Sequence, residues 1–120
     1  MPIKRISVTE PPGPRMSRAV VSGSNVYLAG LTAQDTSQDI TGQTRQVLAA
    51  IDSFLKEAGT DKSRLLQAQI WLTEMANYTA MNAVWNDWVD PRNPPARACV
   101  RSEFVRPEIL IEIMVTASLE

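Results

Sequence analysis

Apolar residues recur at helical spacing in two stretches of the chain. Between 41 and 58 they occupy positions i, i+1, i+4, i+7 and i+8, which predicts one amphipathic helix, and Gly59 is a suitable residue to end it. The members of this stripe are Val47, Leu48, Ile51, Phe54 and Leu55. A second stripe, consisting of Tyr78, Met81, Trp85 and Trp88, predicts a helix that begins near Asn77 and is broken by the prolines of 91–95.

Alternating or β-branched runs predict the strands. The predicted strands are 20–21, 26–29, 66–73, 96–101 and 109–117. The first two flank the turn sequence SGSN and form a hairpin, whose second strand is closed by Gly30. The proline-rich stretch at 10–15 predicts a stiff loop.

This order of strands, helix, strand, helix and two strands predicts an α+β fold. Helices that follow strands act as crossovers, so we expect both helices on one face of a mixed sheet, where they cover the core. The other face must be solvated or buried by another subunit. Trp71 alternates with Ile70 and Leu72 and therefore points to that second face, where an oligomer contact and a lone exposed tryptophan are both open interpretations.

Composition narrows the function mainly by exclusion. The chain has 120 residues, which suits a single domain over 1–120. Its 12 basic and 13 acidic residues give a net charge of -1 and no basic footprint for nucleic acid. There is no histidine, which removes His-based triads, Cys–His dyads and nearly all ordinary zinc sites, so no metal is expected.

The expected location is cytoplasmic. No apolar run reaches membrane-spanning length, and the start MPIKRISVTE lacks the apolar core of a signal peptide. The single cysteine excludes an intrachain disulfide and fits a reducing compartment. We therefore expect no membrane partner.

Polar side chains interrupt the last two predicted strands. Alternation places Arg97, Cys99 and Arg101 on one side of the first. Glu112 is the only charge in the final run, ILIEIMV, and a carboxylate there is costly unless it is paired or hydrogen-bonded. If the last two strands pair, Arg97, Cys99 and Glu112 converge on one face as a site. The alternative is a structural ion pair of Arg97 with Glu112 beside a cysteine that merely packs.

These segments resemble the Rid (reactive intermediate deaminase, YjgF-type) family. The resemblance covers nearly the whole chain after residue 13, and it rests on PARACV at 95–100, IEI at 111–113, AGL at 29–31, the helix at 42–59 and the strand–helix block at 70–89. It implies a chorismate-mutase-like α+β fold that assembles as a homotrimer. In such a trimer the sheets form a central barrel, with ligand clefts between subunits.

The resemblance also implies an enzyme that hydrolyses enamines and imines of amino acids to 2-keto acids and ammonia, without metal or organic cofactor. Arg97 would bind the substrate carboxylate with help from the Gly30 N–H, Cys99 would line the pocket, and Glu112 would position or activate the water. The substrate would come from an imine-producing oxidase, dehydrogenase or PLP enzyme. The residue chemistry agrees, because a guanidinium offers two parallel donors to a carboxylate and a second carboxylate can move protons.

Two interpretations stay open beside this one. A catalytically silent trimer that binds 2-keto acids or other small carboxylates as a sensor or regulator would use Arg97 in the same way. RNA cleavage, an activity also ascribed to relatives, finds little support in a slightly acidic chain without histidine.

The N-terminal segment departs from the family pattern, which usually reads Gly-Pro-Tyr-Ser-x-Ala. In GPRMSRA at 13–19, Arg15 and Met16 stand in place of the pocket tyrosine and are candidate substrate-binding residues. With Arg18 and Arg101 they would suit a substrate with a second carboxylate, such as 2-iminoglutarate. Alternatively, these arginines are solvated or pair with acids such as Glu10 and Glu103.

Overall fold

The computed structural model describes residues 2–120, which form six strands and two α-helices. The strands are β1 (Lys4–Thr9), β2 (Met16–Ser22), β3 (Asn25–Leu28), β4 (Leu65–Leu72), β5 (Ala96–Arg101) and β6 (Ile111–Ser118). The helices are α1 (Ile40–Ala58) and α2 (Tyr78–Trp88). The strands form one sheet in the order β1-β2-β3-β6-β4-β5, in which β4 and β5 run parallel and the other neighbours are antiparallel.

Both helices pack on the same face of this sheet, so the predicted α+β arrangement is confirmed. Their buried residues meet the inward-facing residues of the central strands in one core. On the helices these are Val47, Leu48, Ile51, Leu55, Met81 and Trp85, and on the strands they include Ile70, Leu72, Ile111, Ile113 and Val115. None of the helices over residues 2–120 is long and apolar enough to cross a membrane.

Helix α1 has a well-defined cap at each end. The Asp39 carboxylate accepts a hydrogen bond from the Gly42 N–H at 2.9 Å, which satisfies one of the free donors of the first turn. Gly59 ends the helix in the left-handed conformation (φ 95°), as the sequence predicts, because a residue without Cβ adopts it at least cost.

A buried glutamine fixes α1 to the segment that leads into β6. The Gln43 side chain is fully buried, and its Nε2 lies within hydrogen-bond distance of the carbonyls of Thr36, Gln38 and Glu108 (3.2, 3.1 and 3.0 Å). Its Oε1 accepts from the Leu110 N–H at 3.0 Å. The start of β6, and with it Glu112, is therefore held by the first turn of α1.

Strand β1 is an element that the sequence analysis missed. It pairs with β2 at the edge of the sheet and turns one apolar side chain, Ile6, toward the core. The neighbouring Val8 is 56% exposed, so the alternation of apolar and polar residues is weak. One buried residue is too little signal for a strand prediction.

The helix-free face of the sheet, here called the outer face, is apolar in its centre. Trp71 lies on it, as predicted, opposite Val100 on β5 and Glu112 on β6. Tyr27, Val100 and Met114 on the same face are 45%, 46% and 43% exposed. This is a broad, partly apolar surface that no element among residues 2–120 covers.

Candidate active site

The glycine that follows β3 lies directly against the Glu112 carboxylate. After Leu28 the chain bends and pairs again, with two hydrogen bonds between Leu31 and Ile113 (2.9 and 3.1 Å). A Cβ at Gly30 would overlap the Glu112 carboxylate, so only glycine allows this contact. The Gly30 N–H has no acceptor within residues 2–120 and is available to a ligand.

Glu112 is a half-buried carboxylate without a cationic partner. It projects from β6 on the outer face, and no ion pair includes it in the described part of the chain. Burial raises the pKa of Glu112 above its ordinary value. A carboxylate with a raised pKa is a stronger base than an exposed one, which suits a general base.

Arg97 is held by aromatic rings of α2. It pairs in register with Ala68 of β4 and therefore points to the helix-covered side, at the sheet edge formed by β5. Its Cζ lies 5.8 Å from the ring centre of Tyr78 and 5.4 Å from that of Trp85. Its Nη2 donates to Tyr78 Oη at 3.2 Å. Within residues 2–120 no carboxylate pairs with it, so its remaining donors are free.

Cys99 lies on the same side of β5 as Arg97 and is half-buried. Burial raises the pKa of the Cys99 thiol, and the nearby Arg97 charge lowers it by less. The thiol is therefore neutral at physiological pH and poorly nucleophilic. This agrees with a lining role rather than a covalent one.

The predicted convergence of Arg97, Cys99 and Glu112 through pairing of the last two strands is wrong within one chain. β4 lies between β5 and β6, and the strand register places Arg97 and Glu112 on opposite sides of the sheet. Strand spacing and rise put their Cα atoms about 14 Å apart. Residues 102–110 do not form a hairpin turn between β5 and β6, because β4 lies between these two strands in the sheet. The alternative of an Arg97–Glu112 ion pair is likewise absent within the chain.

The arginines of the N-terminal segment have different environments. Arg15 forms an ion pair with Glu10 at 2.9 Å on an exposed loop. Pairing with an acid is the alternative to substrate binding that the sequence analysis left open for this arginine. Met16 begins β2 opposite Thr9, away from Glu112. Arg18 has no ion pair in the described chain and lines a cavity beneath α1.

A separate, larger cleft of about 780 Å³ lies where β4 and β5 end, and Arg101 lines it together with Thr73 and Glu103. Arg101 Nε donates to the Thr73 carbonyl at 3.2 Å. No group of three or more His, Cys, Asp or Glu side chains among residues 2–120 is arranged to hold a metal ion.

The sequence and the fold are both matched among known proteins. A family model described as Endoribonuclease L-PSP matches residues 9–119. A RutC family protein of Haemophilus ducreyi is 41% identical over 117 residues, covering 98% of this chain and 97% of the relative. The chain belongs to the YjgF/RutC family. The predicted Rid-type, YjgF-like resemblance is thereby confirmed.

Solved structures of this family share the fold closely. A YjgF family member from Neisseria meningitidis superposes with a TM-score of 0.93 at 39% identity, covering 100% of this chain and 97% of that one. YyfA from Yersinia pestis, described as a Rid family protein of unknown function, gives 0.81 at 30% identity, covering 95% and 93%.

Two residues that hold Arg97 of the candidate site were missed as site residues by sequence reasoning. Tyr78 and Trp85 entered the analysis as members of an apolar helical stripe, and spacing alone does not distinguish a core aromatic from one that holds a guanidinium. One signal could have identified them in the sequence. Arg97 lies in a strand without an evident acidic partner, and the preceding helix contains several aromatic residues.

Proposed function

We propose that this protein hydrolyses reactive 2-imino acids and their enamine tautomers to 2-keto acids and ammonia, without a cofactor. The observation that carries the proposal is an arginine without an acid partner, held over two aromatic rings, in a chain that also places the half-buried Glu112 carboxylate beside Gly30, whose N–H is free. A cation fixed for a carboxylate and a base fixed for water are the two groups that this hydrolysis needs.

The proposed site lies between protomers of a homotrimer. Because Arg97 and Glu112 of one chain are on opposite sides of its sheet, Arg97 of one protomer would act with Gly30 and Glu112 of the next. In a closed ring each interface joins two different surface patches, which permits this arrangement. The apolar outer face supports assembly, since a surface of this kind marks a contact with another chain.

The mechanism follows from these placements. The Arg97 guanidinium binds the substrate carboxylate through two parallel hydrogen bonds, and the Gly30 N–H donates to the same ligand. Glu112 removes a proton from water as its oxygen bonds to C2, and the C=N electron pair moves to nitrogen, which is protonated. The resulting carbinolamine loses ammonia when the C2–N bond breaks and the hydroxyl proton leaves. One imine and one water thus give one 2-keto acid and one ammonia.

The test couples the protein to an added amino-acid oxidase and measures how fast the released imine disappears. Wild-type protein should accelerate hydrolysis, and Arg97→Ala should lose about 10- to 100-fold in kcat/KM, the value of charge-assisted hydrogen bonds to a carboxylate. Arg64→Ala, which removes an exposed arginine paired with Asp61, is the matched control and should match wild type. If wild type does not accelerate hydrolysis but binds 2-keto acids, the proposed enzyme function is wrong and the interpretation as a catalytically silent sensor or regulator is favoured.

RNA cleavage is not proposed, although the description of the matching family model names an endoribonuclease. The chain carries a net charge of -1 and has no histidine to act as acid or base on a ribose hydroxyl. Phosphate binding usually requires a basic surface.

A further inference from the structure

Glu112 lies between two different neighbours on the outer face of the sheet. On the β3 side its carboxylate is against the Gly30 backbone. On the β4 side Trp71 is its directly opposed partner in the antiparallel register. Opposed side chains on one face of such a pair have Cβ atoms about 5 Å apart. The indole is therefore the first side chain that a substrate group extending from Glu112 toward β4 would meet.

A cavity of about 280 Å³ lies on this face between β4 and β6. Its lining consists of Gln67, Gln69, Trp71, Met114 and Thr116. We call it the Trp71 cavity. Two of its walls, Trp71 and Met114, are the outer-face neighbours of Glu112, one across the strand pair and one along β6. The cavity thus starts beside Glu112 and runs along the two strands away from it.

The Trp71 cavity is apolar near Glu112 and carries no charge. Trp71 and Met114 supply an indole and a thioether there, and the other lining side chains are amides and a hydroxyl. Within residues 2–120, neither a basic nor an acidic side chain lines it. Each methylene that such a surface removes from water strengthens binding about fourfold. A carboxylate in the same place would lose hydration without gaining a cation.

The proposed contacts of the substrate carboxylate determine where the rest of the molecule extends. A carboxylate oxygen is two bonds from C2, and it would accept a hydrogen bond of about 2.9 Å from the Gly30 N–H. These lengths together equal about one strand spacing, ~4.8 Å, so C2 would lie over β6 beside Glu112. The substituent on C2 then extends away from β3, toward β4 and Trp71.

We propose that Trp71 and Met114 form the side-chain pocket of the enzyme and select 2-imino acids with an uncharged aliphatic side chain, an assignment that rests on the proposed deaminase function. A dicarboxylic imine fits less well. Its distal carboxylate would lie in the uncharged cavity, near the carboxylate of Glu112.

None of the three arginines considered for a second substrate carboxylate lines the Trp71 cavity. Arg15 is paired with Glu10 on an exposed loop. Arg101 lines the cleft at the ends of β4 and β5. Arg18 is on β2, which β3 and β6 separate from β4. A dicarboxylic imine should accordingly be the poorer substrate.

The experiment compares the imines that amino-acid oxidases release from norvaline, alanine and glutamate. Norvaline has two more methylenes than alanine, and it has the chain length of glutamate without the second acid. Wild type should show a kcat/KM about tenfold higher for the norvaline imine than for either of the others. Trp71→Ala should lower the norvaline-to-alanine ratio at least threefold, because the aliphatic chain loses one wall of its pocket.

A cation placed in the wall of the pocket should change the preference. Met114 is 43% exposed, so a lysine can be accommodated there, and its ammonium can pair with a distal carboxylate. Met114→Lys should therefore lower the norvaline-to-glutamate ratio of kcat/KM at least tenfold. Ser53→Lys adds the same charge at an exposed position of α1, on the helix side of the sheet, and this control should keep the wild-type ratio.

The ratios separate the pocket from the deaminase function. Equal losses on all three imines in both pocket variants would indicate a general effect on folding or assembly and would overturn the pocket. A wild type that prefers the glutamate imine would also overturn it, and this test holds even if Trp71→Ala does not fold. In both cases the deaminase function would stand. If wild type accelerates hydrolysis of none of the imines, the deaminase function is refuted, and the pocket with it.

Discussion

Arg97 obtains its orientation from two aromatic rings rather than from an acid. The Tyr78 and Trp85 rings lie under the guanidinium, and Tyr78 Oη accepts one of its hydrogen bonds. An acidic partner would have competed with a substrate carboxylate, whereas aromatic faces and a phenol orient the cation without neutralising it. Tyr78 is therefore a positioning residue for the proposed reaction.

Tyr78→Phe keeps the ring but removes the acceptor. We expect KM for the imine to rise about 3- to 10-fold, as for loss of one hydrogen bond, with kcat within about twofold. Ser63→Ala, which removes a hydroxyl bonded to Asp61 outside the proposed site, is the control and should leave both constants unchanged. A lower kcat at constant KM, or the same change in the control, would speak against the positioning role.

Glu112 should make stability depend on pH. Its pKa in the folded chain is raised by burial, so the ionised form is the costly one. The free energy of unfolding should therefore fall as pH rises from the ordinary glutamate pKa through the folded pKa, and Glu112→Gln should remove that fall. Because the carboxylate is still partly in water, the expected gain for the variant at pH 8 is only about 0.5 kcal/mol.

Urea titrations of wild type and Glu112→Gln at pH 4 and pH 8 measure this effect. The difference between the two proteins cancels the other titrating groups, which include Asp35, Asp61 and Asp90 with lowered pKa values. The variant should gain over wild type at pH 8 relative to pH 4. The opposite trend would show that the Glu112 carboxylate stabilises the fold when ionised.

At the residue scale the sequence singled out the candidate site residues but not their geometry. Arg97 and Glu112 stood out because each is a charge within a strand pattern, and the structure gives both a distinctive environment. Their relative placement depends on which strand lies between β5 and β6. Strand order is a property of long-range pairing, so alternation along one strand does not reveal it.

At the scale of elements, one glutamine couples a helix to the site strand. Gln43 joins the start of α1 to the carbonyl of Glu108 and the N–H of Leu110, just before β6. Helices α1 and α2 were predictable from their stripes, because each stripe has several buried members. Strand β1 was not predictable, because Ile6 alone faces the core and gives no periodic pattern. The Gln43 contacts were not predictable either, because a single buried polar residue produces no periodic signal.

Gln43→Met is close in volume but cannot make these hydrogen bonds. It should lower the free energy of unfolding by about 2–4 kcal/mol, because several buried backbone groups lose their partners. Gln46→Met on the same helix is the control and should cost under about 1 kcal/mol, since its two bonds to Asp35 are exposed to water. Urea denaturation measures both, and similar costs for the two variants would refute the special role of Gln43.

At the scale of the whole molecule, one chain holds the parts of the proposed site but does not assemble them. Arg97 lies at the β5 edge on the helix side, and Glu112 lies on the outer face near the middle of the sheet. The sequence suggested clefts between subunits only through its family resemblance. The fold supplies an independent physical reason, because a rigid sheet cannot bring its two faces together.

Mixing two impaired variants tests whether the site is shared. Arg97→Ala and Glu112→Gln should each be strongly impaired alone, yet a mixed form of the proposed trimer would contain interfaces where one chain supplies Arg97 and its neighbour supplies Glu112. Random mixing in equal amounts should make about one quarter of the sites complete, so turnover should recover to about that fraction of wild type. Adding Val100→Glu to both chains, which places a charge on the outer face, should abolish the recovery and reduce the solution mass from three chains to one. If the mixture turns over no faster than the two variants do separately, the shared site is refuted. Either the reaction then takes place within one chain, which the sheet geometry opposes, or Arg97 and Glu112 do not act in a common site.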